Sequence, residues 1–280
     1  MTDYATVYLF VPGDQPQLFD KAYASDSDVL ILDLEDSVHP LRKPIARQEI
    51  QGWLTNYQQN KQTPKIAIRI NQPDSVEYQK DIDWITNNYL LPYLSHLVIP
   101  KIESSIMVNK VREHLLYGQP DDICVPIIAI IETAWGLHRV HEIANSGIYR
   151  LAFGSLDFSL DMQCDMSRES LLFARSQVVL ASRLAGLLPP IDCVTPDIDE
   201  LSVLETECLH GKSLGFAAKL AIHPAQISII KQSFDISEQQ VAWSKAVLHK
   251  DQDQYTFKVD GKMVDLPLIL QAKKWLNYCK

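Results

Sequence analysis

Several features that define specialised protein classes are missing from this sequence of 280 residues. Its five cysteines are scattered and contain no CxxC pair, which argues against a structural zinc site and against a disulfide framework. Reduced cysteines are typical of the cytosol, so we expect a cytoplasmic protein. No apolar run approaches the roughly 20 residues that cross a bilayer. The N-terminus also lacks the basic start and apolar core of a secretory signal.

An excess of positive charge is missing as well. The 26 lysines and arginines are outnumbered by 35 aspartates and glutamates, and the net charge is −9. Because a phosphate backbone attracts a basic face, we expect neither nucleic acid nor a membrane as partner. The composition, 46% hydrophobic and 22% charged, is ordinary for a globular protein. The length is compatible with a single α/β barrel.

Short apolar runs recur along the chain, with helical patterns between many of them. Continuous apolar strands that alternate with helices predict a parallel sheet buried on both faces. Eight such units predict a closed (β/α)8 TIM barrel. The runs cover residues 6–11, 29–34, 65–70, 96–100, 125–131, 150–153, 191–194 and 219–223.

Helices are predicted between these runs from apolar periodicity and capping residues. Residues 133–146 predict one helix, and residues 167–186 predict a longer one that stops at a glycine. Ser237 is followed three residues later by Gln240, a pattern close to a capping box. A third helix is therefore predicted over residues 237–249.

The C-terminal tail differs from the repeating units. It predicts a small hairpin that turns at Asp260-Gly261, followed by a helix over residues 266–278. This segment is too short for a core of its own. We therefore predict a catalytic barrel over residues 1–250 and a hairpin-helix segment over residues 251–280.

Two acidic residues follow two of the apolar runs, one β/α unit apart. In a barrel, catalytic residues gather at the carboxyl ends of the strands, so Glu132 and Asp157 should share one rim. Mg²⁺ binds through one or two carboxylates and completes its octahedron with water and substrate oxygens. The same two acids also suit the start of a helix, where they stabilise the helix dipole.

Other charged residues are predicted on the same rim. Asp33, Glu35 and Asp36 repel one another unless a cation or hydrogen-bond donors lie nearby. Arg69 alternates with two isoleucines in its run, which predicts a position in the barrel lumen with an anionic partner. Lys101 suits either a Schiff-base lysine or, more commonly, a charge partner.

A set of short motifs is spread in order over nearly the whole predicted barrel. The motifs are Leu-Phe-Val-Pro-Gly-Asp (9–14), Leu-Asp-Leu-Glu-Asp-Ser-Val (32–38), Ile-Arg-Ile-Asn (68–71), Ile-Pro-Lys-Ile-Glu (99–103), Ile-Ile-Glu-Thr-Ala (130–134), Leu-Ala-Phe-Gly-Ser-Leu-Asp (151–157), Pro-Asp-Ile (196–198) and Lys-Leu-Ala-Ile-His-Pro-Ala-Gln-Ile (219–227). Together they resemble the HpcH/HpaI aldolase and citrate lyase β-subunit-like family, with a layout similar to malyl-CoA and citramalyl-CoA lyases. The resemblance implies a Mg²⁺-dependent lyase that breaks or forms a carbon–carbon bond of a 3-hydroxyacyl-CoA thioester, with an acyl-CoA and a 2-oxo acid as its other partners.

The resemblance also implies roles for individual residues. Glu132 and Asp157 would bind the metal, Arg69 would bind the oxo acid, and Glu35 and Asp36 would orient water molecules on the metal. The remaining implied contacts are backbone amides for the 2-oxo acid carboxylate at Ser155, Leu156 and Asp157, and contacts to the CoA nucleotide at Phe10 and Lys21.

The tail resembles the C-terminal lid of malyl-CoA and citramalyl-CoA lyases over residues 259–272. In that reading Asp265 transfers the proton and reaches the active site of a neighbouring subunit in a homotrimer or hexamer. The alternative for the segment is a plain hairpin and docking helix. For the whole chain, three alternatives stay open: a citryl thioester lyase, a non-catalytic subunit that binds CoA or an acyl carrier, and a metal-independent aldolase that uses Lys101.

Four positions depart from the family pattern and leave the acyl group open. Gln15 stands where many members carry arginine, and Trp135 occupies a position that is often small or arginine. Cys193 and Thr195 replace the commoner glycine and tyrosine. The resemblance also leaves open the stereochemistry, the direction of the reaction and a thioesterase step after condensation.

Overall fold

A closed barrel of eight parallel strands forms the body of the protein. The computed structural model describes residues 5–57, 65–117, 125–250 and 256–278. Each strand pairs with the next, and β1 pairs with β8 to close the ring, which confirms the predicted TIM barrel. The strands are β1 (Val7–Pro12), β2 (Val29–Asp33), β3 (Lys65–Arg69), β4 (His96–Ile99), β5 (Ile127–Ile131), β6 (Arg150–Phe153), β7 (Ile191–Asp192) and β8 (Ala218–Ala221).

Helices connect the strands and cover the outside of the barrel. In the described part of the chain, four short 3-10 turns accompany them. The helices are α1 (Phe19–Tyr23), α2 (Lys43–Asn56), α3 (Val76–Asn87), α4 (Ser105–Leu116), α5 (Ala134–His138), α6 (Val140–Ala144), α7 (Ser155–Met162), α8 (Arg168–Leu184), α9 (Leu201–Leu214) and α10 (Ile227–Phe234).

The single helix predicted over residues 133–146 is wrong, because the chain breaks there into α5 and α6. Arg139 lies between the two helices with φ −107° and ψ 17°, outside the helical region. Its guanidinium stacks 4.8 Å from the ring centre of Trp135 and donates to the carbonyl of Glu103 at 3.3 Å. These contacts of Arg139 to α5 and to the loop after β4 accompany the break, and apolar periodicity does not predict them.

Alternate strand residues fill the barrel interior, because successive side chains of a strand point to opposite faces. The interior cluster takes residues from all eight strands, including Ile31 of β2, Ala67 of β3, Ile130 of β5 and Ala152 of β6. These residues are almost fully buried. Two residues further along each strand, the same alternation carries the next side chain into the mouth of the lumen.

The opposite end of the lumen is closed by a buried arginine with aromatic neighbours. Arg150 is fully buried and donates to the carbonyl of Ala5 at 2.8 Å and to the hydroxyl of Tyr8 at 3.1 Å. The ring of His96 lies 4.8 Å from that of Tyr149. Burial, together with the charges of Lys65 and Arg150, lowers the pKa of His96 to about 4. The imidazole is therefore neutral at physiological pH.

The C-terminal residues form a second compact unit that begins at Phe234 and follows the barrel unit, Ala5–Ser233. It contains α11 (Glu238–Lys250), the antiparallel strands β9 (Phe257–Val259) and β10 (Lys262–Val264), and α12 (Leu266–Tyr278). The predicted boundary after residue 250 lies later than this one, because α11 shares an apolar core with the hairpin and α12. That core contains Val247, Val259, Val264, Ile269 and Ala272.

Local predictions for this unit are confirmed. The hairpin turns at Asp260 and Gly261, whose φ angles of 48° and 78° are those of a tight two-residue turn. Ser237 and Gln240 form the capping box, with reciprocal bonds of 2.9 and 3.2 Å. Among the described residues, no helix has the length and apolar character needed to span a membrane.

Candidate active site

Arg69 and Asp33 form a bidentate ion pair at the mouth of the lumen. They are register partners at the ends of β3 and β2, and they follow the inward-facing Ala67 and Ile31. Nε and Nη2 of Arg69 donate to the two carboxylate oxygens of Asp33 at 2.6 and 2.7 Å. Burial opposes ionisation of Asp33, but the guanidinium outweighs it and lowers the pKa of the carboxyl. The predicted anionic partner of Arg69 is therefore confirmed.

The rest of the Arg69 guanidinium faces Glu35 and Phe10. Nη1 lies 2.9 Å from Oε2 of Glu35, and the guanidinium carbon lies 4.6 Å from the ring centre of Phe10. Glu35 is 4% exposed, and burial raises the pKa of its carboxyl although Arg69 opposes the shift. Arg69 is thus fixed by a buried carboxylate on one side and an aromatic ring on another, while 13% of its side chain stays exposed.

Lys101 contacts the loop after β2 that carries Glu35 and Asp36, which we call the acidic loop, and also the acids that follow β5 and β6. Its Nζ lies 2.5 Å from Glu35, 3.0 Å from Asp36 and 3.6 Å from Asp157. Its backbone N–H donates to Oε1 of Glu132 at 2.8 Å. Burial opposes the charge of Lys101, yet the hydrogen bond and charge of Glu35 prevail and raise the pKa of the amine. A Schiff base needs the neutral amine, so these contacts favour the charge-partner interpretation.

Glu132 is a buried carboxylate directly after β5. It continues the inward-facing series of Ile128 and Ile130 and is 3% exposed. Burial raises the pKa of Glu132 to about 8, with further contributions from the charges of Glu35 and Asp157. Asp157 differs, because it lies in the first turn of α7 with 31% of its side chain exposed.

A glycine makes room for the Glu132 carboxylate. A Cβ at Gly154, at the end of β6, would lie 2.8 Å from Cβ of Glu132 and closer still to Oε2. It would also lie 3.1 Å from Cγ2 of Ile130. Any side chain at this position would therefore displace the glutamate. Glycine is needed here because space is lacking and not because of its backbone conformation, since φ of Gly154 is −105°.

The charge balance of the rim is suited to a divalent cation. Its carboxylates outnumber its cations by three, and the charges of Glu35 and Asp157 add to the effect of burial in raising the pKa of Glu132. Within the described parts of the chain, no three His, Cys, Asp or Glu side chains are arranged to hold a metal ion together. Mg²⁺ needs only one or two carboxylates, so Glu132 and Asp157 fit such an ion. The charged groups are Asp33, Glu35, Asp36, Glu132 and Asp157 against Arg69 and Lys101.

The remaining predicted site residues lie in different places. Ser155 is buried at the start of α7, whereas Leu156 beside it is 48% exposed. Lys21 is an exposed residue of α1, and no ion pair joins it to the carboxylates of the rim within the described residues. Asp265 belongs to the C-terminal unit, where its carbonyl accepts from the N–H of Ile269 at 3.0 Å.

Two residues that contact the acidic loop escaped the sequence analysis. The hydroxyl of Ser37 donates to Asp33, and Lys43 at the start of α2 donates to the backbone of the loop. A lysine in an amphipathic helix is usually exposed, so its burial is not evident from periodicity. The sequence feature that connects Lys43 with the acidic loop is its position eight residues after Glu35.

A closed parallel barrel with an acidic rim and a fixed arginine at the carboxyl ends of its strands defines a (β/α)8 enzyme. The sequence profile described as HpcH/HpaI aldolase/citrate lyase matches residues 6–224. The chain belongs to the HpcH/HpaI aldolase/citrate lyase family, as the sequence motifs predicted.

Relatives that match most of the chain include proteins named as lyases, and the chain is an enzyme of this kind. It is 29% identical to a citrate lyase subunit beta-like protein of Deinococcus radiodurans, over 96% of this chain and 95% of the relative. It is 28% identical to the human mitochondrial citramalyl-CoA lyase, over 95% of this chain and 82% of the relative. The crystal structure of CitE from Mycobacterium tuberculosis with magnesium, acetoacetate and coenzyme A superposes with a TM-score of 0.83 at 26% identity, and covers 99% of both chains.

Proposed function

We propose that the protein is a Mg²⁺-dependent carbon–carbon lyase that cleaves or forms a 3-hydroxyacyl-CoA thioester such as malyl-CoA or citramalyl-CoA. Its products in the cleavage direction are an acyl-CoA and a 2-oxo acid. The observation that carries the proposal is the rim itself, where Glu132 and Asp157 lie with a fixed Arg69. The magnesium, acetoacetate and coenzyme A in the CitE structure support it.

Glu132 and Asp157 would hold the metal ion, which when bound supplies a Lewis acid for the oxygen charge of the oxo acid. Glu35 and Asp36 would orient water molecules on that ion. Lys101 contacts three of these four carboxylates through its side chain and the fourth through its backbone. It therefore keeps acids that follow three separate strands, β2, β5 and β6, within reach of one cation.

Arg69 and the first turn of α7 would bind the oxo acid. Nε and Nη2 of Arg69 are engaged by Asp33, and Nη1 lies 2.9 Å from Glu35, so the guanidinium is held in place and would offer its positive charge to the oxo acid. The N–H groups of Ser155, Leu156 and Asp157 belong to the first turn of α7 and have no partner inside the helix. Such groups bind carboxylates, and the helix dipole favours the negative charge.

Asp265 would move the proton. In cleavage it protonates the acyl-CoA enolate, and in condensation it removes a proton from the acyl-CoA methyl group. The lid reading assigns this residue to the active site of a neighbouring subunit in a homotrimer or hexamer. Phe10 and Lys21 would contact the CoA nucleotide. Phe10 contacts Arg69, so this ring would lie beside the oxo acid that Arg69 is proposed to bind.

A panel of CoA thioesters tests the proposed reaction. Malyl-CoA, citramalyl-CoA and citryl-CoA are incubated with the protein and Mg²⁺, and release of the free 2-oxo acid is followed. Cleavage of a malyl or citramalyl thioester supports the proposal, whereas cleavage of the citryl thioester alone supports the citrate-lyase-like alternative. Protein that binds CoA but cleaves none of the three supports the non-catalytic alternative and contradicts the proposal.

The proton-transfer role has a matched control in the same unit. Asp265→Asn is expected to abolish turnover while Mg²⁺ binding persists, because the amide cannot accept the proton. Asp260→Asn makes the same chemical change at the exposed hairpin turn, where asparagine also tolerates the positive φ of 48°. It should keep wild-type turnover. Full activity of Asp265→Asn would contradict the assigned role.

A further inference from the structure

The loop that carries Glu35 and Asp36 is held from outside the lumen by a buried lysine. Nζ of Lys43 donates to the carbonyl of Leu34 at 2.9 Å and to the carbonyl of Glu35 at 3.0 Å. Its third bond goes to Oδ1 of Asn71. These three acceptors match the three donors of an ammonium group. Lys43 is only 7% exposed.

Asn71 is fixed in turn by charged residues of α2 and α3. Its backbone N–H and its Nδ2 both donate to Oδ2 of Asp81 at 2.7 Å. The other carboxylate oxygen of Asp81 accepts from Arg47 at 2.5 Å, and Arg47 also pairs with Glu77 at 2.6 Å. We call Lys43, Asn71, Asp81 and Arg47 the Lys43 network. All four are buried, so the network connects two outer helices to the acidic loop.

The two carbonyls that Lys43 contacts belong to the peptide groups on either side of Glu35. Fixing both peptide planes fixes φ and ψ of Glu35, and these angles determine where its Cβ points. On the lumen side, Oδ1 of Asp33 accepts from the N–H of Glu35 at 3.0 Å. The loop is therefore held from both faces, and the carboxylate of Glu35 is directed at Lys101 and Arg69.

Stability alone is a weak explanation for this arrangement. A buried ammonium loses its hydration, and buried charge networks are often no more stabilising than apolar residues of similar volume. Arg175 offers a comparison, because it is a buried cation that pairs with Asp192 at 2.6 Å between α8 and β7. Arg175 also bonds to His210, and within the described parts of the chain no hydrogen bond or ion pair joins Arg175 to the acidic loop.

We infer that Lys43 is a positioning residue of the active site. It acts through the Leu34 and Glu35 carbonyls to hold Glu35 and Asp36 in place around the cation. Loss of its ammonium group then weakens Mg²⁺ binding and turnover while the barrel stays folded. The inference rests on the proposed function, since it concerns the same cation.

The test compares Lys43→Met with Arg175→Met, two variants that each remove one buried cation and keep an apolar side chain. Isothermal titration with MgCl2 is expected to show about tenfold weaker binding for Lys43→Met, the usual effect of removing a partner behind a metal site. Arg175→Met should keep the wild-type Kd. Urea unfolding should show that both variants lose stability, so lost stability alone does not explain the change in Kd.

Lys43→Gln provides a second variant if Lys43→Met does not fold. It keeps two N–H donors in a neutral group that is one bond shorter, so its Kd and kcat should lie between those of the wild type and Lys43→Met. Wild-type Mg²⁺ affinity in a folded Lys43 variant would overturn the positioning role and leave the proposed function intact. A wild-type protein that binds no Mg²⁺ would overturn both.

Discussion

Replacing Gly154 by alanine tests the tight contact behind the Glu132 carboxylate. The added methyl would lie 2.8 Å from Cβ of Glu132 and 3.1 Å from Cγ2 of Ile130, whereas ordinary contacts begin near 3.4 Å. Overpacking of this kind costs about 1–3 kcal/mol of unfolding free energy. Glu132 is buried on the strand next to β6, so relief of the clash moves the carboxylate. Metal–ligand distances tolerate shifts of only about 0.2 Å.

We therefore expect Gly154→Ala to weaken Mg²⁺ binding by roughly 100-fold, at the upper end of the effect of disturbing a metal site. The assay is isothermal titration with MgCl2, together with urea unfolding of the metal-free protein. Gly52→Ala is the control, because a Cβ there meets nothing within 4 Å and alanine favours the helix. Its Mg²⁺ affinity should be unchanged and its stability slightly higher. Wild-type Mg²⁺ affinity in folded Gly154→Ala would refute the assignment of Glu132.

Two further predictions concern buried charge. Arg69→Met leaves the Asp33 carboxylate buried without its partner, so it should lower the free energy of unfolding in urea by about 3–5 kcal/mol at neutral pH. Arg42→Met breaks a half-exposed pair with Asp14 and should lower it by less than about 1 kcal/mol. Equal losses in the two variants would contradict the estimate for Arg69. Burial depresses the pKa of His96 from 6.5 to about 4, so the unfolded chain binds the proton more tightly. The buried neutral His96 therefore contributes its full stabilisation above pH 6.5. As the pH falls towards 4, the free energy of unfolding decreases by about 3 kcal/mol in all. His96→Phe should remove this part of the pH dependence of unfolding. An unchanged decrease of the unfolding free energy between pH 6.5 and 4 would contradict the depressed pKa of His96.

The barrel was predictable because its signals are local and repeated. Each strand is a short apolar run, and the alternation of side chains along a strand decides which residue enters the lumen. Arg69 shows how far this reaches, since its alternation with Ile68 and Ile70 predicted a lumen position and an anionic partner. The identity of that partner, Asp33, depends on strand register, which a single run does not contain.

Features that depend on side-chain contacts between distant segments were not predictable. The break between α5 and α6 accompanies contacts of Arg139 with Trp135 and Glu103. The boundary of the C-terminal unit depends on which segment packs against the apolar face of α11. The sequence pattern of α11 alone does not identify that segment. Lys43 has the sequence environment of an exposed residue, although its acceptors lie in a loop and a neighbouring strand end.

Release of a 2-oxo acid from citramalyl-CoA or malyl-CoA at increasing Mg²⁺ concentration is the most direct test of the central claim. The wild-type protein should be inactive in EDTA and should recover when excess Mg²⁺ is added. Asp157→Asn keeps the fold, because the side chain is partly exposed in the first turn of α7, and should require much more Mg²⁺ for half-maximal activity. Activity that persists in EDTA, or an Asp157→Asn variant with the wild-type Mg²⁺ requirement, would contradict a metal site at Glu132 and Asp157.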